Sequence, residues 1–226
     1  MKNIEDNKLD NPVWYSLSET HRQFAVEYDN IKFYHPDYCP FGGFKENENI
    51  LNPNKNYSQL SDSFFVVGQS PTLPQNLVMK KSLVCLQMIL DDNITIDQRD
   101  EIIPLTEDNR EALFELVNFV QPGYFRKKTF LLGDYFGIFK NDKLVAVTGE
   151  RMKMEGFTEV SAIVTHPDHI GKGYAKQLIA HVVNNIFSQN KIPYLHVVET
   201  NTAAIGLYKK LGFETRRKIS FWNITR

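Results

Sequence analysis

V-T-H-P-D-H-I-G-K-G-Y-A-K, residues 164 to 176, joins an apolar, β-branched run to a strongly periodic helix. The run entering it, Val160 to Thr165, has strand character. Beyond it Ala175, Leu178, Ile179, Val182, Val183 and Ile186 recur at the three- and four-residue spacing of a buried helix face. Between the two lie Gly171 and Gly173. Glycine lacks the Cβ that keeps a ligand away from the main chain, and the first N–H groups of a helix have no intrahelical partner. The junction therefore predicts a strand, a glycine loop and a helix start able to cradle an anion.

Two familiar phosphate-binding patterns are excluded. The dinucleotide fingerprint needs a third glycine where Lys176 stands, and the phosphate loop ending in Gly-Lys-Ser/Thr is absent. Read as Ile170-Gly171-Lys172-Gly173-Tyr174-Ala175, the stretch instead resembles the pyrophosphate loop of the GNAT superfamily of acetyl-coenzyme A dependent N-acetyltransferases, whose pattern is Arg/Gln-x-x-Gly-x-Gly/Ala. Ile170 departs from it, standing where the family has Arg or Gln. A second stretch from Leu195, L-H-V-V-E-T-N-T-A-A-I-G-L-Y-K-K-L-G-F, resembles the family's second motif: a strand, Asn201, then a helix carrying Ala204, Leu207, Tyr208 and Leu211.

The element order after residue 95 follows the same family. Glu101 to Leu105 reads as a strand, and Thr106 caps a helix with Glu107 and Asp108 in its first turn. Its predicted buried stripe is Ala112, Leu113, Leu116, Val117 and Val120, and Gln121-Pro122-Gly123 ends it. Strands over Tyr135 to Lys140 and Leu144 to Met152 flank Asn141-Asp142, a hairpin turn signal, and Phe157 to Thr165 continues the meander. Phe213 to Ile224 supplies the last strands. The resemblance implies an α/β (α+β) protein with a mixed, mostly antiparallel central sheet flanked by helices. It covers Ile96 to Arg226, a catalytic domain at 96–226, and is closest to the subgroup with a glycine N-acyltransferase-like C-terminal domain.

A smaller α+β domain is expected over residues 1–95, shaping the acceptor pocket or a homodimer face. Asn11-Pro12 opens a predicted amphipathic helix with Val13, Trp14, Leu17, His21, Phe24 and Tyr28 on one stripe, running to about Asn30. Tyr34 to Phe44 and the asparagine-rich Lys45 to Asn56 read as surface connections. Phe64 to Val67 and Leu83 to Leu90 read as strands, taken as antiparallel neighbours.

With 226 residues, 42% of them hydrophobic and 23% charged, the chain has the composition of a globular protein with a sizeable core. A net charge of -1 gives no global footprint for nucleic acid or an anionic membrane, and no run of 18 apolar residues occurs. The first residues, M-K-N-I-E-D-N-K-L-D, carry no apolar leader segment, and a cytoplasmic protein is expected. Cys39 and Cys85 lie far apart, outside any CxxC pattern, and read as reduced structural thiols. His166 and His169 flank Pro167-Asp168, and the proline forbids one-face helical presentation of a metal pair. No metal is expected.

The resemblance implies an acetyl group passed from acetyl-coenzyme A to a primary amine of a small molecule or amino-acid-like acceptor, by direct transfer; a longer acyl donor and a non-catalytic acyl-coenzyme A binding module are the alternatives. It places the pantetheine arm beside Ile163, Val164 and Thr165, and the pyrophosphate at Ile170, Gly171, Lys172, Gly173, Tyr174, Ala175 and Lys176. Lys172 and Lys176 read equally as charge for the phosphates and as solvated helix-start residues. Asn201 reads as a helix N-cap and, by resemblance, as a coenzyme contact. Tyr208 is a core aromatic on periodicity; the resemblance makes its hydroxyl the acid that protonates the departing thiolate. For the base, Glu150, Glu159 and Glu199 are candidates. Glu150 is favoured, because Gly149-Glu150-Arg151 resembles a segment that faces the acceptor in the subgroup. Simple alternation puts Glu159 on the same side as Ser161, Ile163 and Thr165.

Overall fold

The computed structural model describes residues 6–51, 57 and 60–226. After a 3-10 turn at Asp6–Asp10 comes the helix α1, Pro12–Ser18, with proline at its start and Val13 and Leu17 buried. The predicted helix to Asn30 stops there. A second 3-10 turn at Arg22–Phe24 leads into an antiparallel hairpin of β1, Ala25–Tyr28, and β2, Ile31–Tyr34. Ile31 and Phe33 are buried while Lys32 pairs with Glu27 at 3.2 Å, so a period-two pattern around the turn Asp29-Asn30 overrides the helical stripe.

Tyr34 to Phe44 is not a surface connection. Its end is β3, Phe41–Phe44, buried throughout. A Cβ at Gly42 would strike the Phe33 ring, so this glycine serves close packing inside the sheet instead of a turn. The following polar run is exposed at Lys45 to Glu48, and its residues 52–56 lie outside those described.

The strands β4, Ser63–Val67, and β5, Val78–Ile89, are separated by the C-terminal strand β11, Glu214–Thr225, which pairs antiparallel with both. They are thus not direct neighbours. One long bulged strand stands where several short last strands were expected. Between β5 and β11 in sequence come β6, Ile103–Pro104; α2, Arg110–Val120; β7, Tyr135–Lys140; β8, Lys143–Met154; and β9, Phe157–Thr165. Then follow α3, Tyr174–Ser188; β10, Ile192–Val198; and α4, Thr202–Lys210. Thr106 and Asn109 form the capping box that leads into α2. Leu113, Leu116 and Val117 are buried on α2, whereas Val120, counted in its stripe, is 38% exposed because the helix ends there. Asn141 and Asp142 take φ of 50° and 60°, the left-handed pair of a tight hairpin.

Among the described residues the strands form one mixed sheet in the order β1-β2-β3-β4-β11-β5-β10-β9-β8-β7-β6. Only β3 with β4 and β9 with β10 run parallel. The N-terminal β5 sits between β10 and β11, so strands from both halves of the chain share the sheet. Val160 packs with α3 residues in one core cluster, and Val164 packs with Leu113, Leu116 and Val117 of α2 in another. No helix among the described residues is long and apolar enough to cross a membrane.

Candidate active site

The sheet opens where β9 and β10 part. Their parallel ladder holds only from Ile192↔Phe157 to Tyr194↔Glu159, although β9 continues to Thr165 and β10 to Val198. The cause lies in β9. Ala162 has φ of 50°, and the pairing with β8 shifts register between Gly149↔Ser161 and Val147↔Val164. Such a bulge bends a strand and interrupts its alternation. Val160 and Ile163, an odd step apart, therefore both pack toward α3, and Glu159 does not share a side with Ile163 as simple alternation required.

The opening holds a cavity of ≈ 380 Å³. Its lining includes Ile163 and Val164 of β9, Val198 of β10, and Asn201, Ala204 and Tyr208 at α4. It also includes Phe41, Leu83, Cys85, Tyr124, Arg151 and Phe221, from five separate segments, with Phe41 packed near Tyr124, Phe221 and the Arg151 guanidinium. Four of the expected site residues, Ile163, Val164, Asn201 and Tyr208, thus meet at one opening. Thr165 lies just past it, opposite Ala146 on β8.

The glycine loop lies beyond the end of β9, outside the cavity lining. Gly171 and Gly173 have φ of 81° and 79°, and no atom lies within 4 Å of a Cβ built on either. Only a left-handed turn and open space are present, the arrangement that lets a ligand reach the main chain. Gly173 caps α3, whose first N–H groups point out of the helix end. Ile170 is 69% exposed, Lys172 and Lys176 are exposed, and Lys172 Nζ lies 3.3 Å from His169 Nδ1. Tyr174 is buried under Lys140, so only its main chain faces the loop, while Ala175 is half-buried. His166 and His169 belong to no cluster that could hold a metal among the described residues.

Asn201 Oδ1 accepts from the Ala204 N–H at 3.1 Å, as an N-cap does. Tyr208 is 7% exposed, and burial pushes its phenol up to about 12.

The carboxylates separate clearly. Glu150 is fully buried, faces Val160 in the β8–β9 register and accepts from Lys153 Nζ at 2.6 Å; it does not line the cavity. Glu199 pairs with Lys218 at the surface, 2.7 Å away, also off the lining. Glu159 does line it, held by Arg151 Nε at 2.8 Å and Nη2 at 2.9 Å. The His196 Nδ1–H donates to its Oε1 at 2.8 Å. Burial alone would raise the Glu159 carboxyl, but the Arg151 charge and these bonds bring it down to about 2.

The His196 tautomer follows from its neighbours. Gln87 Nε2 donates to the Leu9 carbonyl at 2.7 Å and Gln87 Oε1 accepts from Arg216, so the amide presents N–H to His196 Nε2 at 3.1 Å. His196 is neutral there, with Nδ1 protonated. Arg151, His196 and Gln87 escape single-sequence reading because they sit on three strands with no shared motif. Only the proximity of Arg151 to the favoured Glu150 hinted at them.

An FR47-like protein family model matches residues 135–222, which contain both motifs and the bulged strand. A solved structure from Novosphingobium aromaticivorans, assigned to the GNAT family of acetyltransferases, superposes with a TM-score of 0.84 at 28% identity, covering 96% of this chain and 98% of that one. The YqkA protein of Bacillus subtilis is 31% identical over 107 residues, and an acetyltransferase of Yersinia pestis is 38% identical over 56. These stretches make up 47% and 24% of this chain, and the chain spans 28% and 39% of the respective relatives' lengths. In its motifs, its parted parallel strands and a fold that matches from end to end, the chain is similar to acetyltransferases of the GNAT family, with an FR47-like region at residues 135–222.

Proposed function

We propose that the protein transfers the acetyl group of acetyl-coenzyme A to a primary amine of a small molecule or amino-acid-like acceptor, directly and within a ternary complex. The observation that carries this reading is the parting of β9 from β10. It leaves one edge of β9 without a ladder partner beside a cavity, with left-handed glycines and a helix start just beyond. Those features fit a coenzyme with an amide-bearing arm and a pyrophosphate. Bound there, acetyl-coenzyme A supplies the thioester carbonyl carbon that the amine attacks.

The chain's own groups then bind and move protons. Main-chain N–H groups around Gly171 to Lys176 hold the anion, and a β9 amide polarises the carbonyl oxygen. Tyr208 O–H donates its proton to the departing thiolate. Burial weakens the phenol as an acid, and burial weakens a thiol in the same cleft likewise, so the two remain comparable. Glu159 is saturated by donors, and Glu150 and Glu199 lie elsewhere, so the amine proton passes to solvent water at the cavity mouth. Phe41, Leu83 and Cys85 bring the region before residue 95 into the acceptor side of the cavity, which supports its role in shaping that pocket.

A thiol-release screen tests this, pairing several acyl-coenzyme A donors with amines, amino acids and peptides. Turnover with acetyl-coenzyme A and a small amine is the expected result. Thermal stabilisation by acetyl-coenzyme A without turnover on any acceptor would overturn the catalytic reading in favour of a binding module.

A further inference from the structure

The acceptor side of the cavity holds a half-buried cation only half used. Arg151 spends one edge of its guanidinium, Nε and Nη2, on Glu159, as a fork on a carboxylate. Its Nη1 makes no hydrogen bond to the described residues, yet Nη1 is not sealed from solvent. The guanidinium carbon lies 4.7 Å from the Phe41 ring centroid, which fixes the plane. Around it stand Phe41, Leu83, Tyr124 and Phe221.

Electrostatics narrows what fits. Glu159 is ionised and saturated, Arg151 is held charged because the Glu159 charge outweighs the burial that would lower it, and His196 is neutral. The pocket is therefore net neutral but strongly dipolar. A zwitterion brings a compensating charge with its carboxylate as it enters, and its ammonium gives a proton to water before the neutral amine attacks the thioester. We infer that the acceptor is an amino acid with an apolar or aromatic side chain: its carboxylate bonds the Nη1 edge of Arg151, and its side chain packs among Phe41, Leu83, Tyr124 and Phe221. This deepens the proposed reaction and rests on it for the fate of the amine. Glu159, His196 and Gln87 are positioning residues for Arg151.

Calorimetry in the presence of coenzyme A tests the binding separately from turnover. Leucine and phenylalanine are compared with their decarboxylated amines, isoamylamine and phenethylamine. The amino acids should bind about tenfold to a hundredfold more tightly, the range of a hydrogen bond to a charged group. The double variant R151M/E159Q, which removes both charges together, should abolish that preference without changing coenzyme affinity. Should it not fold, Arg151→Lys, which keeps the charge and loses the fork, should shrink the preference at least several-fold. Equal binding of amines and amino acids, no binding of either amino acid, or a preference that survives these changes would overturn the inference, whatever the turnover. Tight amino-acid binding without acetyl transfer would leave the Arg151 site standing and sink the proposed reaction instead.

Discussion

The two sides of the cavity are built by different means. On the proposed coenzyme side the main chain dominates: a bulge at Ala162, a strand edge without a partner and, beyond the cavity lining, glycines at φ near 80° before a helix. On the proposed acceptor side the framework is a chain of side chains from β5, β8, β9 and β10, linked from Arg151 through Glu159 and His196 to Gln87. A surface framed by backbone tolerates many side chains and needs only permissive residues at a few points. One framed by a buried polar network tolerates few, because each member satisfies the next.

Substitutions should separate the two designs. The largest effect is expected at Glu159→Ala, which strands a buried guanidinium and should cost about 3–5 kcal/mol of stability in denaturant titration. A loss below about 1 kcal/mol would show the network to be ornamental. The next effect is on pH. Beside α1, His21 Nδ1 lies 2.8 Å from Tyr34 Oη, and burial, with Lys153 nearby, lowers its pKa from 6.5 to about 4. The unfolded chain takes up that proton at higher pH than the folded one, so stability is full above pH 6.5 and falls as pH drops toward 4. The loss should reach about 3 kcal/mol, and His21→Gln should flatten that part of the stability curve. On the coenzyme side, Gly173→Val should instead leave a folded protein, destabilised by about 1–2 kcal/mol through its left-handed φ. Acetyl-coenzyme A affinity should fall at least about tenfold, because a branched side chain then fills the approach to the main chain. Unchanged affinity in calorimetry would mean the loop holds no phosphate.

The same contrast explains what the sequence discloses. The coenzyme side is local: strand, glycines and helix follow one another within Val160 to Ile186, and Asn201 to Phe213 forms a second continuous unit, so both could be read directly. The bulge could not, because alanine carries no signal for a φ of 50°, and alternation counted through it misassigned the sides of β9. The acceptor side is non-local. Glu150 and Glu159 look alike in sequence, and only the pairing of strands separates the one bound to Lys153 from the one facing the cavity. In the N-terminal region the hairpin of β1 and β2 has four residues in each strand, too few for its alternation to outweigh the apparent helical stripe. Phe41-Gly42-Gly43-Phe44 looked like a loop because its glycines serve packing, against the Phe33 ring and beside α1.

Tyr208 tests the central claim most directly, since phenylalanine keeps the buried ring and removes only the hydroxyl. The measurement is turnover of Tyr208→Phe with an identified acceptor, with coenzyme affinity and melting temperature taken on the same variant. The account predicts turnover lowered by about ten- to a thousandfold, with affinity and melting temperature little changed. Wild-type turnover in that variant would contradict it, leaving Tyr208 a packing residue and water the source of the proton.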